Sequence, residues 1–193
     1  GGITRSPVVD RLMTTFVIFG VSVPNYVFGV FFVLVFALSL GLFPVIGYKA
    51  LTADPVAWAY SLVLPALALS LTPAAVVARQ LRGSLKDVMR SDYIKTARAK
   101  GLREWQTILG HAMRNAAPPA LNALGIQVAI LLSGSVAVEL VFALPGLGQL
   151  AINAVGVRDL PIIQGVVIAG ALAVIGVNLL VDLLQLALNP KSM

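Results

Sequence analysis

The chain has 193 residues, of which 59% are hydrophobic and only 11% are charged, and its formal net charge is +6. Soluble domains carry about a quarter charged residues, so this composition argues against a soluble enzyme, a disordered chain or a nucleic-acid-binding domain and predicts an integral membrane protein. The sequence contains no cysteine, which removes disulfides, thiolate metal sites and cysteine nucleophiles from consideration.

The apolar residues fall in four long segments that contain no Lys, Arg, Asp or Glu: Leu12–Tyr48, Pro55–Ala78, Asn115–Val138 and Leu160–Val181. A bilayer-spanning helix needs about 20 mostly apolar residues, and these runs lack the polar alternation of a membrane barrel strand. We therefore predict an all-α membrane protein in which residues 1–193 form one transmembrane domain. Its four spans are expected at roughly 16–41, 58–80, 119–141 and 163–188.

The start of the chain gives two further expectations. It begins with Gly-Gly and not with Met, and no small-residue cleavage site ends the first apolar run. We therefore expect a retained span and not a removable signal peptide, and we expect further sequence upstream, with additional spans.

The cations predict the orientation of the spans. Twelve of the fourteen Lys and Arg residues lie in the N-terminal segment, in residues 79–118 and in the C-terminal tail, which four spans place on one side. By the positive-inside rule this side is cytoplasmic. Both termini of the chain are thus expected in the cytoplasm, and the 42–57 and 142–162 loops are expected outside.

Residues 79–118, called here the basic segment, contain signals for two short helices. Ser91 and Asp92 can cap a first helix, and Gly101 is typical of a left-handed helix stop. The second helix is expected to begin near Arg103 and to end at Pro118–Pro119, where the third span would open. Helical spacing places four apolar residues of this second helix on one face: Trp105, Ile108, Leu109 and Ala112.

Several stretches follow one family's motifs in order. Residues 92–102 read DYIKTARAKGL and residues 111–118 read HAMRNAAP; SVPNY at 22–26, LPALAL at 64–69, ELVFALPGLG at 139–148 and RDLPIIQG at 158–165 flank them. Together they resemble the binding-protein-dependent ABC importer permeases, most closely the dipeptide, oligopeptide and nickel branch. Its cytoplasmic EAA loop reads D-Y-[IV]-x-T-A-R-A-K-G and then R-H-A-x-R-N-A-x-x-P. The chain departs from this pattern at Gly110, where the branch has Arg, and from the wider superfamily at Lys95-Thr96, where that has Glu-Ala.

The resemblance implies the helical bundle of the type I ABC importer permease (MetI-like) fold. It also implies that the basic segment is a coupling loop, which sits in a cleft of a cytoplasmic ATP-binding subunit and transmits closure of the ATPase dimer to the spans. The residues expected to carry this coupling are Tyr93, Thr96, Ala97, Arg98, Ala99, Gly101 and Trp105.

The resemblance further implies an assembly in a bacterial-type cytoplasmic membrane. Its partners would be a second, non-identical permease subunit, two cytoplasmic ATP-binding subunits and an extracytoplasmic substrate-binding protein, and nucleic acid is not among them. The chain contains no G-x-x-x-x-G-K-[ST] phosphate loop. It is therefore expected to be no enzyme and to hold no cofactor, with ATP and Mg bound by the partners.

Two groups of residues are candidates for the transport function itself. Intramembrane carboxylates and polar side chains are candidates for lining or gating a path, although hydration or interhelical hydrogen bonding explains them as well; these are Glu139, Gln127, Ser133, Ser135 and Asn178. The resemblance implies that the loop beyond the third span contacts the binding protein, through Pro145, Gly146, Leu147, Gly148, Arg158 and Asp159.

The predicted function is a permease subunit for peptides or related small solutes, with nickel and haem-like cargo also compatible with the branch. The alternative is a secondary transporter or channel subunit not coupled to ATP, but such proteins usually couple through ionisable groups or broken helices near the midplane. No metal site is expected, because the one histidine, His111, has no carboxylate or thiol beside it.

Overall fold

A computed structural model describes residues 11, 14–15, 18, 20, 22–45 and 47–188, and among them it contains helices and no strand, in agreement with the all-α prediction. In chain order the helices are α1 (Asn25–Phe32), a π-helical continuation (Val33–Ser39), α2 (Pro55–Val88), α3 (Asp92–Ala99), α4 (Glu104–Thr107), a second π-helical segment (Ile108–Ala112), α5 (Met113–Gly134), α6 (Val136–Val141), α7 (Leu147–Gly156) and α8 (Leu160–Leu188).

Within the described residues, three helices are long and apolar enough to cross a membrane: Pro55–Val88, Glu104–Leu132 and Leu160–Leu188. They match the second, third and fourth predicted spans. For the first predicted span, 16–41, the structure shows a shorter apolar helix, Asn25–Ser39. Residues 16, 17, 19 and 21 of that span lie outside the described part of the chain.

The long helix α2 begins at a well-formed cap. The Oδ1 atom of Asp54 accepts hydrogen bonds from the backbone N–H groups of Val56 and Ala57, each at 3.0 Å, and Pro55 occupies the first helical position, where its missing N–H costs nothing. The 34 residues of α2 span about 51 Å at 1.5 Å per residue, whereas the hydrocarbon layer is about 30 Å thick. The basic C-terminal turns of α2 therefore project beyond the membrane.

The third predicted span has different limits from those expected. The helix does not begin at Pro118–Pro119: α4, the π-helical segment and α5 follow one another without a break from Glu104 to Gly134, and both prolines lie inside α5. The φ angle of proline fits a helix, and two prolines remove only two backbone hydrogen bonds. A single residue, Ser135, separates α5 from the short helix α6. Its φ and ψ of −69° and −22° are helical, and the Glu139 N–H donates to its carbonyl at 2.8 Å, so the helical path continues into α6.

Two buried clusters mark the two ends of the bundle. The first joins α2 to α6 and to the π-helical end of the first span, through Ala37, Leu64, Val138 and Phe142. We call this the loop end, since the 40–54 connection also packs there. The second cluster joins α2 to α3 and to the α4–α5 helix, through Leu85, Ile94, Ala112 and Ala116; we call this the basic end.

The third and fourth spans pack closely at Gly125. A β-carbon on Gly125 would lie 2.9 Å from Asn178 Oδ1 and 3.6 Å from Val181 Cγ2 of α8. One turn closer to the basic end, Gln185 Nε2 donates to Asn122 Oδ1 at 2.7 Å. Because hydrogen bonds between membrane helices supplement packing of small residues, this contact fixes the position of α8 on α5.

Gly125→Val is expected to lower the free energy of unfolding by about 1–3 kcal/mol, the usual cost of overpacking a close contact. Gly176→Val is the matched control, since nothing lies within 4 Å of a β-carbon at that helical glycine of α8. Thermal unfolding of the solubilised protein measures both variants. Equal shifts in Tm for the two would contradict the packing role of Gly125.

Gly165, Ala169 and Ala173 form a stripe of small residues on α8, which the sequence suggests as a helix-packing face. A β-carbon at Gly165 would meet nothing within 4 Å, and Ala169 is exposed. Gly165 and Ala169 are therefore not packed against the described part of this chain, whereas Ala173 is half-buried. The role of the stripe as a packing face stays a prediction.

Candidate functional site

Helix α3 of the basic segment is held in place by two buried residues. Ile94 is fully buried in the basic-end cluster, between Leu85 of α2 and Ala112 and Ala116 of the following helix, and Ala97 is only 6% exposed. Closely packed groups transmit displacement from one element to the next. A force applied to α3 would therefore move the second and third spans as well.

The start of α3 differs from the expected cap. Ser91 precedes the helix as predicted, but its hydroxyl donates to the Val88 carbonyl and makes no bond to the first turn of α3. Asp92 pairs with Lys95 at 2.8 Å, and both side chains are exposed. Such surface pairs contribute little, so packing and not capping positions α3.

The end of α3 confirms the left-handed stop at Gly101, whose φ is +79°. The Leu102 N–H donates to the Ala97 carbonyl at 3.4 Å, and the Gly101 N–H donates to the Arg98 carbonyl at 2.9 Å. These two bonds form a Schellman motif, which satisfies the last carbonyls of a helix and requires a residue with positive φ. Gly101 thus sets the direction in which the chain leaves α3 towards α4.

The second helix does not place its four apolar residues on one face. Ala112 is fully buried, whereas Trp105 is 58% and Leu109 is 63% exposed. The reason is the π-helical segment Ile108–Ala112, because its i→i+5 bonding shifts the faces away from the period of 3.6 residues. The buried position on α4 is instead Thr107, which is fully buried and donates to the Arg103 carbonyl at 3.3 Å.

A groove of about 520 Å³ lies between α3 and the helix that follows it. Tyr93 and Asn115 join its two walls, since Asn115 Nδ2 donates to the Tyr93 hydroxyl at 2.8 Å. Its lining contains the cations Lys100 and Arg114 with the titratable His111 and no carboxylate, so the groove favours an acidic group. The lining residues are Tyr93, Thr96, Ala97, Lys100, Leu102, Gly110, His111, Arg114 and Asn115.

The structure brings the predicted coupling residues together at the basic end. Tyr93, Thr96 and Ala97 line the groove, and Thr96 Oγ1 donates to the Asp92 carbonyl at 3.0 Å within α3. Beside the groove lies an apolar and basic area, called here the docking surface. Its exposed residues are Tyr93, Arg98, Ala99, Gly101, Trp105 and Leu109.

Glu139 lies at the loop end and is only 9% exposed. Its Oε1 accepts a hydrogen bond from Ser135 Oγ, and its Oε2 accepts one from the backbone N–H of Gln149, each at 2.9 Å. Gln149 is the third residue of α7, so the carboxylate caps the N-terminus of that helix. A carboxylate is favourable there because it satisfies a free N–H and opposes the positive end of the helix dipole.

The predicted binding-protein loop forms the two ends of α7. Gly146 and Gly148 lie against the Glu139 carboxylate, and Pro145 and Leu147 are exposed beside them. At the far end, the exposed Arg158 has a φ of +59°. Asp159 Oδ1 then accepts from the Ile162 N–H at 3.2 Å, which caps α8. All six residues therefore lie on one short stretch of the loop end.

The four predicted path residues whose side chains the structure describes do not converge on one channel. Glu139 and Ser135 are directed to α7, and Asn178 packs on Gly125 between α5 and α8. Gln127 is half-buried in α5, and the side chain of Ser133 lies outside the described part of the structure. A role in the path stays a prediction for these residues. The geometry gives Glu139 and Asn178 contacts between helices, and Ser135 donates to the Glu139 carboxylate.

Two polar contacts were not anticipated as pairs. Thr72 Oγ1 lies 2.7 Å from Asn25 Oδ1 and 2.7 Å from the Gly20 carbonyl, which joins α2 to the first span. Gln185 pairs with Asn122, as described above. The sequence does show isolated polar residues in these apolar segments, which indicates polar contacts between helices. Their spacing in the sequence does not indicate which of them form a pair. Among the described residues no group of three or more His, Cys, Asp or Glu could hold a metal ion.

Comparison with known proteins identifies the family of this chain. The sequence matches the family described as "binding-protein-dependent transport system inner membrane component" over residues 1–193. It is 38% identical over 182 residues to a putative peptide transport system permease protein of Brucella abortus (strain 2308), and 42% identical over 181 residues to the glutathione transport system permease protein GsiC of Escherichia coli (strain K12).

Each of these two alignments covers 94% of this chain, but 58% of the Brucella protein and 56% of the Escherichia protein. The chain therefore spans somewhat more than half the length of the relatives that it matches.

Proposed function

This chain belongs to the family of binding-protein-dependent transport system inner membrane components, and from that premise we propose that it is part of the transmembrane permease subunit of an ABC importer. The observation that carries the proposal is the packing of α3: Ile94 and Ala97 bury it against two spans, while the docking surface beside it is open. A partner that moves α3 therefore moves the spans.

The proposed partners at the basic end are two cytoplasmic ATP-binding subunits, which bind ATP and Mg and hydrolyse the nucleotide. Trp105 and Leu109 offer them large apolar side chains outside the apolar part of the span, and buried aromatic anchors carry much of the energy of interfaces. The groove with Lys100 and Arg114 would take an acidic side chain of the ATP-binding subunit. A second permease subunit, a non-identical homologue, completes the proposed membrane part.

At the loop end, α7 and its flanking turns are proposed to contact an extracytoplasmic substrate-binding protein. In this orientation the basic end faces the cytoplasm of a bacterial-type cytoplasmic membrane, as the distribution of cations predicts. Both ends of the chain would then be cytoplasmic. Three of the described helices are long and apolar enough to span a bilayer, so this placement of both ends needs the first span, which contains Asn25–Ser39, to cross the membrane as well.

The proposed substrates are peptides. The relatives are named as peptide and glutathione transport permeases, and glutathione is itself a short peptide. Uptake of labelled di- and tripeptides, glutathione and nickel chelates by cells that express the matched binding protein tests this assignment. Accumulation of nickel chelates without peptide uptake would contradict it.

The docking role of the basic end predicts the result of a co-purification experiment. Replacing Trp105 and Leu109 together by Asp is expected to reduce the recovery of the ATP-binding subunits with the full-length permease by at least about tenfold, because hot-spot residues each contribute roughly 2 kcal/mol or more. Both side chains are exposed, so the folded chain tolerates the change.

The matched control replaces Ile152 and Val155 by Asp. These are exposed apolar residues of α7 at the opposite end, 48% and 60% accessible, and recovery of the ATP-binding subunits should equal that of the wild type. If the Trp105 and Leu109 variant also retains its ATP-binding subunits, the proposed docking surface is wrong.

A further inference from the structure

The short helix α6 connects two parts of the loop end through opposite faces. Val138 and Phe142, which are four residues apart, are buried in the cluster with α2 and the first span. Ser135 and Glu139, also four residues apart, are directed to α7 instead. Residues at this spacing share a helix face, so α6 presents an apolar face to the bundle and a polar face to α7.

Helix α7 has little apolar anchorage of its own. Its only buried residues are Gly148 and Ala154, which have the smallest side chains, whereas Leu150, Ile152 and Val155 are 44–60% exposed. Hydrophobic stabilisation grows with the apolar area removed from water. Buried apolar side chains of α7 therefore contribute little to its contact with α6, and polar contacts gain weight.

The Glu139 carboxylate supplies that contact. It bridges Ser135 Oγ and the Gln149 N–H, each at 2.9 Å, and hydrogen bonds to a charged group are stronger than those between neutral groups. The fit leaves no free space: a β-carbon on Gly146 would overlap the carboxylate carbon, and one on Gly148 would lie 3.0 Å from Oε2 and overlap Val136. Two glycines at the start of α7 are thus what allows the carboxylate to reach the helix end.

We propose that Glu139 is a positioning residue, a latch that holds α7 on α6 through the Gln149 N–H and so fixes the outer surface of α7 relative to the second and third spans. Its carboxylate is occupied by this capping contact and does not line a path. This inference goes beyond the proposed transport function and does not depend on it, since the latch concerns the position of α7 whichever partner α7 meets.

Pulsed dipolar EPR on the full-length permease in lipid nanodiscs measures the latch directly. One label replaces Val56 at the start of α2 and the other replaces Val155 on α7, positions that are 76% and 60% exposed. The unmodified latch should give one narrow distance distribution. Glu139→Ala should shift the ratio of docked to displaced α7 by roughly tenfold, the factor expected for one lost hydrogen bond to a charged group.

Three further variants separate the latch from a general loss of stability. Glu139→Gln keeps an acceptor oxygen without the charge, so its distribution should lie between those of the wild type and Glu139→Ala. Gly146→Ala keeps the carboxylate but displaces it, and its φ of −99° suits alanine; it should resemble Glu139→Ala. Gly156→Ala, at the other end of α7 where nothing lies within 4 Å of a β-carbon, should leave the distribution unchanged.

A second pair of labels, at Leu67 of α2 and Leu172 of α8, reports on the bundle itself; both positions are exposed. The latch predicts that this pair is unaffected by any of the four variants. An unchanged Val56–Val155 distribution in Glu139→Ala and Gly146→Ala would overturn the proposal. Parallel broadening of both label pairs would also overturn it, because Glu139 would then stabilise the whole bundle and not the position of α7.

Discussion

Replacing Gly101 by proline is expected to abolish ATP-driven uptake by the assembled importer while the chain still inserts in the membrane. Gly101 has a φ of +79° and donates its N–H to the Arg98 carbonyl. Proline fixes φ near −65° and has no N–H, so it cannot form the turn between α3 and α4. The proposed docking surface contains both sides of this turn, and it would lose its shape.

Gly101→Asn is the matched control for this prediction. Asparagine is among the non-glycine residues that most readily adopt positive φ, and nothing lies within 4 Å of a β-carbon at this position. Most of the uptake should therefore be retained. Uptake is measured in proteoliposomes with loaded binding protein and ATP, and insertion by membrane fractionation; uptake by the proline variant at the level of the wild type would refute a coupling role for this turn.

Replacing Ala97 by glutamate is expected to abolish ATP-driven uptake through a different cause. Ala97 is 6% exposed and lines the groove beside Lys100 and Arg114. Glutamate therefore overpacks this position, at a cost of about 1–3 kcal/mol, and its carboxylate occupies the groove that is proposed to take an acidic side chain of the partner. Helix α3 would leave its seat on α2 and α5. The ATP-binding subunits could then close without moving the spans.

The measurement pairs uptake with ATP hydrolysis. Ala97→Glu should lose uptake, and the stimulation of hydrolysis by loaded binding protein should fall to the basal rate. Ala97→Ser keeps the small volume, and its hydroxyl can bond to a carbonyl of the preceding helical turn, so both activities should persist. If Ala97→Glu retains normal uptake and normal stimulation of ATP hydrolysis, the packing of α3 against α2 and α5 is not part of the coupling.

Much of the fold follows from hydropathy and charge. Apolar runs of bilayer length predicted the second, third and fourth spans. Each charged or unsatisfied polar group in lipid costs free energy, so spanning segments are recognisable from their amino-acid composition. The absence of strands in the described residues agrees with this. The first span is less regular than its apolar run suggests, since residues 23–24 interrupt the helix and Val33–Ser39 is π-helical.

The candidate site was predicted in part. Gly101 was recognised as a left-handed stop because a residue with positive φ at the end of a helix has a local sequence pattern, a glycine preceded by cations. The faces of Trp105 and Ala112 were assigned wrongly because the π-helical segment Ile108–Ala112 changes the helical period. The sequence also did not predict that the helix continues through Pro118–Pro119. A proline often ends a helix, but here both prolines lie inside α5, and packing against neighbouring helices holds that helix in place.

The amino-acid sequence by itself determined the membrane class, the basic segment, the left-handed turn at Gly101 and the family, because each rests on local composition or on motifs in order. Only the tertiary structure decided which side chains meet: that Glu139 caps α7 ten residues further along the chain, and that Ile94 and Ala97 are buried while Trp105 is exposed. The physical reason is that these contacts depend on how the helices pack in space. Side chains that meet come from different segments of the chain, and their separation in the sequence does not indicate which of them will meet.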